Sequence, residues 1–137
     1  MKLPLLTMRA AATLLAVCFF LPMRSCSGVD ESVFSVYDWP SFEAMPAVFL
    51  FFWPLVTALF FYRRTFSTMR WGLVMQLTLC AATLGAIAWF VSWGDAIRYG
   101  TFVAYVAVFL YVAGLVVYFR QIKRQALTGS TASPPPP

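Results

Sequence analysis

Histidine is absent from this 137-residue chain, acidic residues number five, and only 11% of the residues carry charge. Each shortage excludes something. Without histidine there is no imidazole to act as general base, and the usual zinc ligand sets lose their commonest member. The cysteines are Cys18, Cys26 and Cys80, an odd number with no CxxC spacing. That argues against a thioredoxin-like redox motif and against a closed disulfide framework. The acids fall as Asp30/Glu31, Asp38/Glu43 and a separate Asp95. Acid–base catalysis needs two carboxylates held in different environments over a substrate. Nothing in the sequence walls off a pocket around either pair, so they read as a solvated acidic loop. The expectation is a chain that is not an enzyme and takes no cofactor and no metal.

Scarce charge also limits the compartment. Hydrophobic residues make up 61% of the chain and its mean hydropathy is +0.78. A soluble domain carries about 25% charged and 45–50% apolar residues. This chain has too little charge to cover a soluble surface, which points to a membrane protein. The net charge of +5 fits contact with anionic headgroups better than nucleic-acid binding.

Four apolar runs are present, at about 5–23, 45–62, 71–93 and 101–119. The last three hold no charged residue, and each approaches the ~20 residues needed to cross a ~30 Å hydrocarbon core. The first reaches that length only by including Arg9, which can snorkel to the interface. Helix is the expected state, because a lipid-exposed segment must satisfy its own backbone groups. The fold class is therefore all-α membrane protein: four antiparallel transmembrane helices in one bundle over 1–124, with an outer loop at 24–44. The segment 125–137, ending in "SPPPP", reads as a disordered cytoplasmic tail. Trp71, Trp89, Trp93, Tyr62, Tyr99 and Tyr118 lie near span ends, where amphipathic rings sit at the headgroup level. Trp53 and Tyr111 lie near mid-span and are expected to face protein.

Charge sides with this topology. Lys2 and Arg9, then Arg63, Arg64 and Arg70, then Arg120, Lys123 and Arg124 put eight of ten basic residues at one end. All five acids fall at the other. The positive-inside rule places both termini in the cytoplasm of a plasma (inner) membrane, multi-pass.

"CFFLPMRSCSGVDE" (18–31) admits two readings. One is a signal peptide with a lipid-bearing Cys26. The other is a retained helix ending at Pro22. A lipoprotein cut site needs small residues just before the cysteine, and Arg24 stands there; "LLAVC" ending at Cys18 fails on Val17. We read the first helix as retained and Cys26 as an exposed thiol on the outer side. Eight helical residues separate Cys18 from Cys26 by about 12 Å, too far for a disulfide. Cys18 and Cys80 read as small core residues.

Two features carry the packing argument. Thr57 lies five residues before Tyr62, and Gln76 five after Trp71. A short loop makes their helices antiparallel neighbours, so both groups sit about 7–8 Å inside the same interface. A lipid-facing amide is costly, so Gln76 is expected to meet Thr57, with Tyr111 a deeper alternative. This layer reads as helix glue. In the third run, Ala81/Gly85 and Ala82/Ala86 are spaced four apart, and Gly72, Gln76, Cys80 and Thr83 form a second small or polar stripe. Small residues let membrane helices approach closely, so this helix is expected to pack on two sides, with packing inside the chain favoured and another subunit the open alternative for one of them.

Small four-helix drug exporters resemble the chain in size and span number, but they couple protons through a membrane-embedded glutamate. No acid lies inside a span here, so that mechanism has no residue to use. Nor is there an internal repeat of the transporter kind. The pattern "FFLPMRSCSG", then "VYDW", then a span opening near a proline, resembles a loose group of uncharacterised small bacterial membrane proteins. They are four-span chains with a Leu-Pro and a Ser/Cys/Gly turn after the first helix. The resemblance implies a bacterial membrane and no activity. The sequence therefore leads to a non-enzymatic scaffold or accessory subunit in the lipid bilayer, with a membrane protein partner or a homo-oligomer and no nucleic acid. The alternative is a minimal oligomeric transporter or channel using Gln76, Thr57, Thr78, Thr83, Tyr105 and Tyr111.

Overall fold

The computed structural model describes residues 2–36, 42–60 and 66–129. Four long helices dominate: α1 (Lys2–Cys18), α3 (Met45–Phe60), α4 (Phe66–Ser92) and α5 (Tyr99–Gly129). Between α1 and α3 come β1 (Arg24–Cys26), β2 (Val29–Glu31), a single-turn helix α2 (Val33–Val36) and a 3₁₀ turn (Phe42–Ala44). A short strand β3 (Ala96–Ile97) joins α4 to α5.

The helices fall into two length classes. At 1.5 Å per residue, α4 (27 residues) and α5 (31) run about 40 and 46 Å, while α1 (17) and α3 (16) run about 26 and 24 Å. Among the described residues, α4 and α5 are the helices long and apolar enough, by themselves, to cross a membrane. The first helix stops short of the expected 5–23. Past Cys18 the chain tightens into i→i+3 bonds, from Phe19 N to Ala16 O, Phe20 N to Val17 O and Leu21 N to Cys18 O. Pro22 explains this end, because it disfavours helix in the residue before it and has no N–H to continue the ladder. At the other terminus α5 runs on through 125–129, which the sequence assigned to the tail. Residues 61–65 and 130–137, and so Tyr62, Arg63, Arg64 and the proline tip, lie outside the described residues.

Neighbouring helices run antiparallel. The start of α5 lies on the end of α1, where a Cβ on Gly100 would come within 2.5 Å of Pro22 O. Further along α5, a Cβ on Gly114 would come within 2.6 Å of Met8 Cγ, near the start of α1. This seam is the most extensive contact in the molecule, followed by α1 with α3; α4 packs on α5 and only lightly on α3. Met8, Leu15, Cys18, Ala104, Val108, Tyr111 and Leu115 form the middle of the core. Tyr118, read as an interfacial ring, is buried instead, while Trp71, Trp89, Trp93 and Tyr99 are exposed.

The acidic outer loop is ordered rather than simply solvated. β1 pairs antiparallel with β2 through Ser27 (φ 53°) and Gly28 (φ 82°). Two consecutive left-handed residues are what a two-residue type I′ hairpin turn demands. β1 also pairs with β3, Arg24 opposite Ile97 and Ser25 opposite Ala96. The resulting sheet, in the order β2-β1-β3, fixes the first and last outer connections at one end of the bundle. Ser32 and Ser35 cap α2 reciprocally, each hydroxyl accepting the other's backbone N–H at 3.1 and 2.9 Å. Phe34 N donates to Phe19 O, and the Phe19 ring packs edge-on against Phe34, Phe51 and Phe52. Residues 37–41, including Asp38 and Trp39, lie outside the described residues.

Candidate functional site

Two polar constellations stand out, one inside the bundle and one in the outer cap. The inner one begins at Pro54, buried within α3. Proline supplies no N–H, so the carbonyl of Leu50, four residues earlier, loses its helical donor. In an apolar setting that carbonyl needs another partner, and neighbouring Ser or Thr side chains can supply one. Thr83 of α4 does so, its hydroxyl lying 3.3 Å from Leu50 O. The same hydroxyl lies 2.8 Å from Leu79 O and accepts Trp53 Nε1–H at 3.2 Å. One proton cannot serve two carbonyls fully, and the shorter bond to Leu79 takes the larger share. The Trp53 ring stands edge-on to Tyr111, centroids 5.6 Å apart.

One turn toward the inner end, Tyr111 OH donates to Gln76 Oε1 at 3.2 Å and lies 3.0 Å from Thr57 Oγ1. The structure thus brings Thr57, Gln76 and Tyr111 together. The link between α3 and α4 runs through Tyr111 of α5, which the sequence reading held as the deeper alternative. Thr57 Oγ1 also reaches Trp53 O (3.1 Å) and Pro54 O (3.0 Å). Two hydroxyl protons therefore face three demands: the amide oxygen, the Thr57–Tyr111 bond and the α3 carbonyls. At most two are met at once. The layer joins three helices and leaves only a small gap beside it, about 10 Å³, among Leu15, Trp53, Cys80, Val108 and Tyr111. That is at the lower limit for one water molecule.

The outer constellation centres on Arg24. Its Nε bonds Glu31 Oε2 at 2.7 Å across the β1–β2 ladder. Its Nη1 donates to Phe90 O at 3.0 Å, and its guanidinium carbon lies 4.4 Å from the centre of the Phe90 ring. Arg98 pairs with Asp30 at 2.6 Å, and Asp95 Oδ2 accepts Ser27 N–H at 2.8 Å. Asp30 and Glu31, read from sequence as solvated, therefore each hold a partner in the cap, and so does Asp95. Backbone bonds complete it: Asp95 N to Ser25 O, Arg98 N to Met23 O and Gly100 N to Pro22 O. Cys26 ends β1 half-buried, less open than the exposed thiol the sequence implied. Cys18 and Cys80 are buried, and none of the three is bridged.

The two stripes of α4 part company. Cys80 and Thr83 are buried and Gln76 is half-buried, so that stripe faces protein from Gln76 onward, while Gly72 is half-buried beside open space. Ala81, Ala82 and Gly85 are exposed, and Ala86 is half-buried. A Cβ on Gly85 or Gly72 would meet nothing within 4 Å. The expectation that α4 packs on two sides within this chain is not what the structure displays. Above this region α3 and α4 diverge, leaving an apolar crevice of about 140 Å³ among Met23, Ala47, Phe51, Ala86, Ile87 and Phe90. Among the described residues, no group of three or more His, Cys, Asp or Glu side chains could hold a metal ion. Comparison with known protein families, with curated proteins and with solved structures returns no match.

Proposed function

We propose that this chain is a four-span protein of a bacterial plasma membrane, both termini cytoplasmic, acting as a non-enzymatic scaffold or accessory subunit for another membrane protein. The bacterial setting rests on the resemblance carried by "FFLPMRSCSG" and "VYDW". Orientation rests on the positive-inside rule. Arg70, Arg120, Lys123 and Arg124 are exposed toward one end, and the acidic cap stands at the other. Two helices meet the spanning length directly. In this reading α1 and α3 cross with a few ångströms of mismatch, which local thinning and a snorkelling Arg9 absorb. Arg9 Nε lies 3.4 Å from Ala58 O in the last turns of α3, where a cation suits the helix dipole.

The observation that carries the accessory-subunit reading is the asymmetry of α4. One of its stripes is engaged with the bundle, while Ala81, Ala82 and Gly85 stay open on the other side. Small residues give a lipid tail little to pack on and give a second helix room to approach. Copurification from native membranes tests this. A stable heterologous partner, lost on Ala82→Leu, is expected. A chain that purifies alone, or a partner indifferent to that change, removes the reading. A second reading, a minimal oligomeric channel, draws on the Thr57–Tyr111–Gln76 layer beside the lightly packed α3–α4 border. It requires solute flux in liposomes that Gln76→Leu abolishes.

A further inference from the structure

The crevice between α3 and α4 has a second cavity beside it. The two share the walls Trp89 and Phe90, and the second, about 370 Å³, is lined in addition by Arg24, Val36 and Trp93. Apolar side chains line the first, while a cation and two tryptophans frame the second. Trp89 and Trp93 are 62% and 66% exposed and stack edge to face at 5.9 Å, an arrangement suited to headgroup depth. Arg24 has a donor to spare. Glu31 takes Nε and Phe90 O takes Nη1, while Nη2 has no partner among the described residues.

We propose that this pair of cavities binds one zwitterionic glycerophospholipid of the outer leaflet. One acyl chain enters the α3–α4 crevice, and the phosphate meets Arg24. The inference rests on the membrane-spanning reading above. An apolar cavity of ~150 Å³ stays dry and accepts a benzene-sized guest, so 140 Å³ suits the tail's methylenes. A helix, about 10–12 Å across with its side chains, does not fit there. A tail moving from bilayer to crevice leaves one apolar medium for another, so its gain is the contacts of a filled void rather than dehydration. Selectivity must come from the headgroup. A guanidinium favours phosphate oxygens through charge-assisted hydrogen bonds. The described part of the cap holds two bases, Arg24 and Arg98, against three acids, Asp30, Glu31 and Asp95. That excess disfavours a second negative charge and favours an amine beside the phosphate.

The test uses the full chain. Carbonate extraction of membranes comes first, because a chain released by carbonate defeats the membrane reading itself, whatever the crevice does. For the integral protein, delipidated in detergent, native mass spectrometry then follows titration with phosphatidylethanolamine or phosphatidylglycerol of identical chains. One phosphatidylethanolamine per protein is expected, held about tenfold more tightly than phosphatidylglycerol. Ala86→Leu on α4 and Ala47→Leu on α3 each fill the crevice from opposite walls, so the result does not hang on one variant folding. Each should weaken retention about tenfold, and Arg24→Lys should narrow the preference between headgroups. Three results overturn the proposal: retention unchanged in both crevice variants, equal binding of the two lipids, or loss of a copurifying protein with lipid retention intact.

Discussion

Gly114 on α5 and Gly85 on α4 lie within two long apolar helices and meet opposite surroundings. At Gly114 the start of α1 closes in, with Met8 Cγ 2.6 Å and Pro4 O 3.3 Å from where a Cβ would stand; at Gly85 nothing lies within 4 Å. The α1–α5 seam has spent its small residues on contact inside the chain. The outer stripe of α4 has not. Two helices of similar composition thus hold different positions, one as the centre of the molecule and one as its edge. Composition alone does not separate them; what separates them is which face carries the bulky partners.

That contrast can be broken at its tightest point first. Gly100→Ala brings a methyl to 2.5 Å from Pro22 O, a backbone atom that cannot swing aside. We expect a loss of about 2–3 kcal/mol, read as a fall in thermal midpoint in detergent. Gly85→Ala, with open space around it, should be neutral or gain up to ~1 kcal/mol from helix propensity. Equal effects at the two glycines would erase the distinction between seam and edge.

The cap offers the next largest effect. Arg24→Gln leaves Glu31 and Phe90 O without their cation in a site where the arginine side chain is only 13% exposed. A loss of about 2 kcal/mol is expected. Arg98→Gln, whose pair is 42% and 51% exposed, should cost under ~1 kcal/mol. Thermal denaturation of the two variants side by side checks the ranking, and a larger loss at Arg98 would invert it.

Smaller effects follow in the polar layer. Tyr111→Phe removes the hydroxyl that joins Thr57 to Gln76 and should cost about 1–1.5 kcal/mol. Gln76→Leu should cost only about 0.6 kcal/mol, the average for hydrogen bonds between membrane helices. The order follows from the bond count, since removing Gln76 takes one bond from the layer and frees the tyrosine proton for Thr57, whereas removing the hydroxyl breaks the contacts to both Thr57 and Gln76. A double-mutant cycle checks this: the two losses should not add.

Sequence periodicity and hydropathy made the long helices legible, because each apolar run has to fold on itself. Their ends were less so. The stop at Cys18 depends on how Pro22 tightens the preceding turn, and the length of α5 depends on helix continuing past Arg124 to Gly129, where small polar residues suggested a tail. The Thr57–Gln76 depth argument rests on the fixed rise of a helix, and the two groups meet through Tyr111. It named Tyr111 only as second choice, since rotation of α5 about its axis is set by packing that no single run encodes. The cap was nearly invisible. Its strands are three, three and two residues long, too short for an alternating pattern, and β3 lies some 65 residues beyond β2. "SCSGVDE" did contain a signal, the Ser-Gly dipeptide of a tight turn, but only the pairing with β3 turns it into a sheet. Pro54 was likewise readable as a break, while Thr83 as the group that repairs it required the fold.

The cap has a consequence for biosynthesis. β1 and β2 emerge together and can pair at once, but β3 is made only after α3 and α4 have both been synthesised. The sheet therefore stays one strand short through most of translation. It closes only when the β1–β2 hairpin and β3 have been brought to the same end of the bundle, which on the four-span proposal means the same side of the membrane. A chain in which α3 or α4 was misplaced would leave Ser25 O and Met23 O without their donors Asp95 N and Arg98 N. Arg24 would also be parted from Phe90. Closure of this small sheet thus waits on the whole chain from α1 to the start of α5, so this end of the bundle locks last.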